Sequence, residues 1–288
     1  MAPPDEAALN KARDGIRQIF SREFAAAEKP EDKAKLAGIL LKQALETKDD
    51  VAARYGLFYE AREQARDAVD LELYEEILAK TAEQYVIDPL TVKADELRQA
   101  VKRPRYSQAL VKALLAVAEE MIADDRYDEA DALAETARQV ALRNKDLPRS
   151  KEAGALRRDV KQIRQLHSDS EKAQKTLADR PDDPAANILL GKYLAFGKHN
   201  WERGLSLLAK GDNETLKTLA DAEKTVPASA AQMADLGDQW WEAAVAGHFG
   251  DMQRSMQARA VFWYRRALPE LQGLTKAKIQ RRLAEFGR

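Results

Sequence analysis

The chain has 288 residues, with 47 lysines and arginines against 48 aspartates and glutamates, so its formal charge of −1 lacks the cationic footprint of a dedicated nucleic-acid binder. It holds 51 Ala and 33 Leu but only 21 Val and Ile together, a balance that favours helix over sheet. With 13 Gly, 10 Pro and no polar low-complexity stretch, a largely disordered chain is excluded as well.

Apolar residues at three- and four-residue spacings run almost from end to end and predict an all-α protein of about fourteen helices. The first follows Pro3-Pro4 with Asp5 as its cap, and aligns Leu9, Ala12, Ile16, Ile19, Phe20 and Phe24 before Lys29-Pro30 ends it. The second, near 31–47, presents Leu36, Ile39, Leu40, Ala44 and Leu45. The third follows Asp49-Asp50 with Tyr55, Phe58, Ala61 and Ala65, and Asp70 caps a fourth through Tyr85. Asp88-Pro89 opens a short helix that ends before Pro104. Ser107 opens the next, and helices near 107–123 and 127–144 form a hairpin bounded by Leu147-Pro148.

Beyond that boundary Leu156, Val160, Ile163, Leu166, Ala173 and Leu177 keep one face over roughly thirty residues, a single helix of about 45 Å. Hairpins resume after Pro181 with helices from Pro184, around Trp201–Ala209, from Asn213 and from Ala228, and a last pair near 252–268 and 275–286. This pattern predicts an N-terminal helical-repeat half over 1–148, a long connecting helix over 149–180 and a C-terminal half over 181–288.

The stretch Ala113–Ala137, ALLAVAEEMIADDRYDEADALAETA, resembles the tetratricopeptide repeat, with Ala118, Ala130 and Ala137 at its three small positions. Small residues are needed there because two antiparallel helices approach closely only where neither places bulk at the crossing. Partial matches follow at Leu190-Gly191 with Trp201–Leu205, which contains Gly204, and at Leu236-Gly237 with Ala260–Ala267. The resemblance implies a tetratricopeptide-like, right-handed stack of antiparallel helix hairpins, irregular in its spacing.

The segments Asp49–Tyr55, Asn200–Gly211, Leu236–Trp241 and Arg259–Tyr264 are similar to a helical region found in many planctomycete proteins of unassigned function. That resemblance covers nearly the whole chain. It implies an interaction or spacer module, often extracytoplasmic and often joined to other modules such as lectin-like β-sandwiches, and it implies no activity. The N-terminus MAPPDEAALNKARDG has no apolar h-region, so export would require a leader already removed. No window approaches 18 consecutive apolar residues, and no membrane insertion is expected.

Absence of cysteine excludes disulfides, thiolate metal sites and cysteine nucleophiles. His167, His199 and His248 include no pair spaced to put two imidazoles on one helix face, so they read as solvent-facing or turn residues and no metal is expected. The pairs Asp49-Asp50, Asp124-Asp125 and Asp182-Asp183 lack the alternating ligands of a calcium loop and read as helix caps. Glu119-Glu120 and the other carboxylates lie among Lys and Arg at helical spacing, as ion pairs on solvated faces do. Ser168, Asp169 and Ser170 beside His167 sit mid-helix, without the strained turn that presents a nucleophile. Neither glycine-loop phosphate motif occurs, and no cofactor is expected. The basic cluster Lys102, Arg103 and Arg105 beside Tyr106 reads as a solvated linker.

The aromatic set Trp201, Trp240, Trp241, Phe262, Trp263 and Tyr264 carries the most information, because all four tryptophans fall in the last 90 residues. Trp240, Trp263 and Trp201 are expected to fill gaps left by Gly191, Gly204 and Gly237. Two adjacent tryptophans and three successive aromatics cannot all point inward from one helix, so Trp240 is assigned to the core and Trp241 to a partly exposed position. Trp241, Trp201 and Phe262 are the candidate partner-binding residues. The whole pattern points to a non-enzymatic scaffold for a protein partner; the alternative is a spacer or glycan-contacting accessory module of an exported carbohydrate-processing system.

Overall fold

A computed structural model describes residues 1–102, 108–225, 227, 229–246 and 252–287. Ser107, Arg103–Tyr106, Ala228 and His248 lie outside the described residues. Among the described residues there are fifteen α-helices and no strand.

Local chemistry accounts for where the helices start. The side chains of Asp5, Asp50, Asp70, Asp146, Asp183, Asn200 and Asn213 each accept a hydrogen bond from the backbone N–H three residues on, at 2.8–3.3 Å. Each satisfies one of the donors that a helix leaves unpaired at its N-terminus. Asp125 behaves otherwise: its backbone is left-handed (φ 61°), and the helix that follows has no side-chain cap.

The chain divides into two compact units, Met1–Ala100 and Val101–Arg288. The first holds α1 (Glu6–Ile19), α2 (Ser21–Ala26), α3 (Pro30–Glu46), α4 (Val51–Asp67), α5 (Leu71–Gln84) and α6, which begins at Pro89. Where one first helix was expected, the chain bends at Phe20. Ile19 is left 76% exposed, while Phe24 packs on the core.

Helix α4 is the central element of this unit, packing against α1, α3 and α5. A helix enclosed on three sides buries its charges along with its apolar residues, and Glu60, Arg62 and Glu63 are all buried. Arg62 donates from Nε to Glu96 at 3.0 Å and from Nη1 to Thr81 at 3.0 Å, while the Tyr74 hydroxyl donates to the other Glu96 oxygen at 2.9 Å. Glu60 accepts from Arg13 at 2.7 Å and from Arg17 at 3.0 Å. These carboxylates are interior, not the solvated-face pairs that helical spacing suggests. Burial and the neighbouring Glu96 charge push the Tyr74 hydroxyl far above its ordinary value, so it stays a neutral donor.

The second unit begins with the hairpin α7 (Gln108–Ala123) and α8 (Tyr127–Arg143), where Ala118, Ala130 and Ala137 are fully buried. Helix α9 (Leu147–Asp179) runs 33 residues and packs on α8 and on α10 (Pro184–Lys192). The division of the chain thus falls at 100/101, ahead of the boundary expected at 148, and the long helix lies wholly within the second unit. A π-helical turn over Tyr193–Gly197 leads to α11 (Trp201–Leu208), and α12 (Glu214–Lys224), α13 (Ala230–Ala246), α14 (Met252–Ala267) and α15 (Gly273–Phe286) follow.

Gly191, Gly204 and Gly237 lie where a Cβ would meet a neighbouring side chain at 2.6–2.9 Å. The atoms against them belong to Leu208, Ala195 and Tyr264, not to the tryptophans. No helix among the described residues is long and apolar enough to cross a membrane.

Candidate functional site

Helices α11 to α14 and the π-helical turn bring the aromatic residues together. Trp240 on α13 is fully buried, with its ring 5.8 Å from Trp201 and 6.3 Å from Phe196, both edge to face. Its indole N–H donates to Glu223 of α12 at 2.8 Å. The second Glu223 oxygen accepts from Nη2 of Arg259 on α14, and both charged side chains are buried. An acidic residue among tryptophans is tolerated because each of its oxygens has a donor.

Arg259 is the centre of the cluster. Its guanidinium carbon lies 4.3 Å from the Trp201 ring centroid, 4.4 Å from Phe262 and 5.4 Å from Trp263. Cation–π contact of this kind gains strength when water is excluded. Burial, reinforced by the like charge of Arg266, lowers its pKa to about 10, and the side chain stays protonated at neutral pH. Two donors here are unsatisfied: Nε of Arg259 and the indole N–H of Trp263, both buried with no acceptor. An orphaned buried donor costs about 1–3 kcal/mol.

Phe262 is 40% exposed and Trp201 half-buried, so both reach the rim of the cluster. Trp241 does not: it is buried, 6.3 Å from the Tyr264 ring and beneath the Arg282 guanidinium of α15 at 5.6 Å. The expected partial exposure of Trp241 fails because neighbours stand on two sides of α13, so residues 100° apart both find cover. Arg282 is fixed in turn by Asp238, by the Tyr264 hydroxyl at 2.5 Å and by Glu242 at 3.3 Å.

A second polar cluster has no sequence signal. Asp125 accepts from the hydroxyls of Tyr127 and, at 2.7 Å, Tyr193, and pairs with Lys198 at 2.7 Å. His167 lies 5.3 Å from both tyrosine rings, half-buried where a solvent-facing residue was expected. Burial alone would raise the Asp125 carboxyl, but hydrogen bonds from Lys198 and the two tyrosines outweigh it and hold the group below the usual range. Burial and the Asp125 contact raise both tyrosines, so the two hydroxyls stay protonated at neutral pH. His199 is exposed between the π-helical turn and α11, with a left-handed backbone (φ 54°).

Among the described residues no group of three or more His, Asp or Glu could hold a metal ion. An open cleft of ≈ 380 Å³ beside α13 is lined, among the described residues, by Ala222, Thr225, Pro227, Gln232, Asp235, Leu236 and Gln239, of which Asp235 alone is titratable. Comparison of the chain with family models, curated proteins and solved structures returns no match.

Proposed function

We propose that the protein is a non-enzymatic helical-repeat scaffold that binds a protein partner at the rim formed by Phe262 and Trp201. The observation that carries this reading is Phe262. It is a large aromatic 40% exposed at the edge of a cluster whose other members on α13 and α14 are buried. Exposed aromatics beside arginine are the residue types that anchor protein interfaces. The resemblance to tetratricopeptide hairpins and to the planctomycete helical region supports the same reading, because such stacks act by presenting a surface.

The test uses the full chain immobilised and exposed to proteins of the source organism. We expect a partner that the unmodified protein retains and Phe262→Ala loses, with the melting temperature of the variant unchanged. If polysaccharide in a native gel retards the protein in a Phe262-dependent manner while no protein is retained, the glycan-contacting alternative replaces this reading. Ligand capture that ignores Phe262 overturns both.

A further inference from the structure

We propose that the face of α14 formed by Arg259, Phe262, Trp263 and Arg266 receives a carboxylate from an acidic peptide segment that also inserts an apolar side chain beside Phe262. This deepens the scaffold reading and rests on it. Helix α14 spans Met252–Ala267 with four arginines and no acidic residue. Helical spacing sets Phe262, Arg265 and Arg266 on one face, and all three are exposed. Among the described residues no carboxylate pairs with Arg265 or Arg266. Basic residues in a last helical turn complement the helix dipole in any protein, but that role does not explain the two unsatisfied donors.

Those donors point to a ligand. Nε of Arg259 and the N–H of Trp263 are two donors without an acceptor, on contacting side chains one helical turn apart, each residue more than nine-tenths buried. Glu223 bonds the Trp240 indole N–H with one oxygen and Nη2 of Arg259 with the other, and neither oxygen reaches Nε of Arg259 or the Trp263 N–H. Phe262 is the exposed ring against the guanidinium, and the proposed carboxylate reaches the buried donors by displacing it. A carboxylate supplies two acceptor oxygens for the orphaned donors and the negative charge that Arg265 and Arg266 lack. A nucleic acid would need many more phosphate contacts than this patch offers on a chain of net charge −1. Neutral glycan hydroxyls would leave the charge of Arg265 and Arg266 uncompensated.

The probe is a phage-displayed library of random dodecapeptides selected on the full chain, with the best peptide then measured by fluorescence anisotropy. We expect selected sequences to carry Glu or Asp next to an apolar residue. Replacing the acids by Gln or Asn should weaken binding at least tenfold, and raising salt should weaken it further. Arg266→Glu should cost tenfold or more. Trp263→Phe, which keeps the ring and removes only the N–H donor, should weaken binding severalfold while leaving the melting temperature unchanged or raised. Unaltered affinity in either variant overturns the proposal, as does selection of neutral or basic peptides or of none. Neutral peptides whose binding still depends on Phe262 would refute the carboxylate and leave the scaffold reading standing; selection of peptides indifferent to Phe262 would remove both.

Discussion

Arg62 in the first unit and Arg259 in the second are both buried, both on helices and both near aromatic rings, yet their donors are used differently. Arg62 donates to Glu96 and Thr81 and lies 5.7 Å from the Tyr59 ring, and none of its nitrogens is left buried without a partner. Arg259 has one carboxylate, three rings and an unsatisfied Nε. A buried charge whose partners are complete fixes the packing of its helices. One left incomplete at a rim that reaches solvent has a bonding direction to offer. On the reading proposed above, the first arginine serves packing and the second recognition.

The largest effect that can break this contrast belongs to the first unit. Glu96→Ala strips Arg62 and Tyr74 of their shared acceptor and leaves a buried guanidinium without a countercharge. It should destabilise by about 3–5 kcal/mol. The double variant Arg62→Met, Glu96→Leu replaces the pair by apolar groups of similar volume and should recover most of that loss. Urea denaturation of the three proteins decides the matter, and a Glu96→Ala cost near zero would mean that the network holds nothing together.

Next in size are the tryptophans of the second unit. Trp240→Ala and Trp241→Ala should each cost about 3–5 kcal/mol, since both side chains are buried and truncation leaves a cavity. Phe262→Ala, at the exposed rim, should cost much less. If Trp241→Ala is tolerated like Phe262→Ala in thermal melts, the cover provided by Arg282 is not stable in solution and the recognition surface extends beyond α14.

The helical nature of the chain and most helix starts are legible in its sequence, because caps such as Asp50, Asp70, Asp88 and Asp183 and the Ala/Leu periodicity are local signals. Enclosure is not local. The run Glu60, Arg62, Glu63, Arg66 has the spacing of a solvated helix face, and only the packing of α1, α3 and α5 around α4 shows that it is interior. Periodicity names one buried face, whereas a helix enclosed on several sides has more than one; low apolar contrast around α4 is the available clue. The same limit hides Trp241. Asp125 resembles a cap by analogy with Asp50 and Asp183, but its acceptors serve Tyr193 and Lys198, which are 68 and 73 positions away and beyond the reach of any spacing rule. Of the recognition rim, Phe262 and Trp201 are visible as aromatics; Arg259 is not, since nothing in a sequence marks one arginine among 47 cations as buried.

Glycine substitutions probe the packing at smaller cost. At Gly204 a Cβ would stand 2.7 Å from the Ala195 Cβ and 2.8 Å from its backbone nitrogen, and backbone cannot move aside as a flexible side chain does. Gly204→Ala should destabilise by about 1–3 kcal/mol. Gly38, inside α3 of the first unit, has nothing within 4 Å of the position a methyl group would take. Gly38→Ala should therefore stabilise by about 1 kcal/mol through helix propensity alone. Equal signs for the two would mean that α11 does not approach the π-helical turn as closely as the structure has it.

The smallest effect is a pH dependence traced to one carboxyl of the second unit. Glu135 on α8 accepts from Arg138 at 2.7 Å, from Gln139 at 2.9 Å and from Arg157 of α9, and these contacts, led by the Arg138 hydrogen bonds, pull its carboxyl down from 4.5 to about 2. A carboxyl depressed in the folded state contributes stability that is present above its unfolded value and disappears as pH falls through its folded one. The contribution should thus be complete above pH 4.5 and gone below about 2. Because the pair is partly open to water, solvent and salt screen it and the effect should be modest. Comparing urea midpoints at pH 6 and pH 3 for the unmodified protein and Glu135→Gln isolates it: the variant should lose stability at pH 6 and show a shallower fall towards pH 3. An unchanged slope would mean that the link from α8 to α9 rests on the Asp131–Arg157 pair, at 2.7 Å, without help from Glu135.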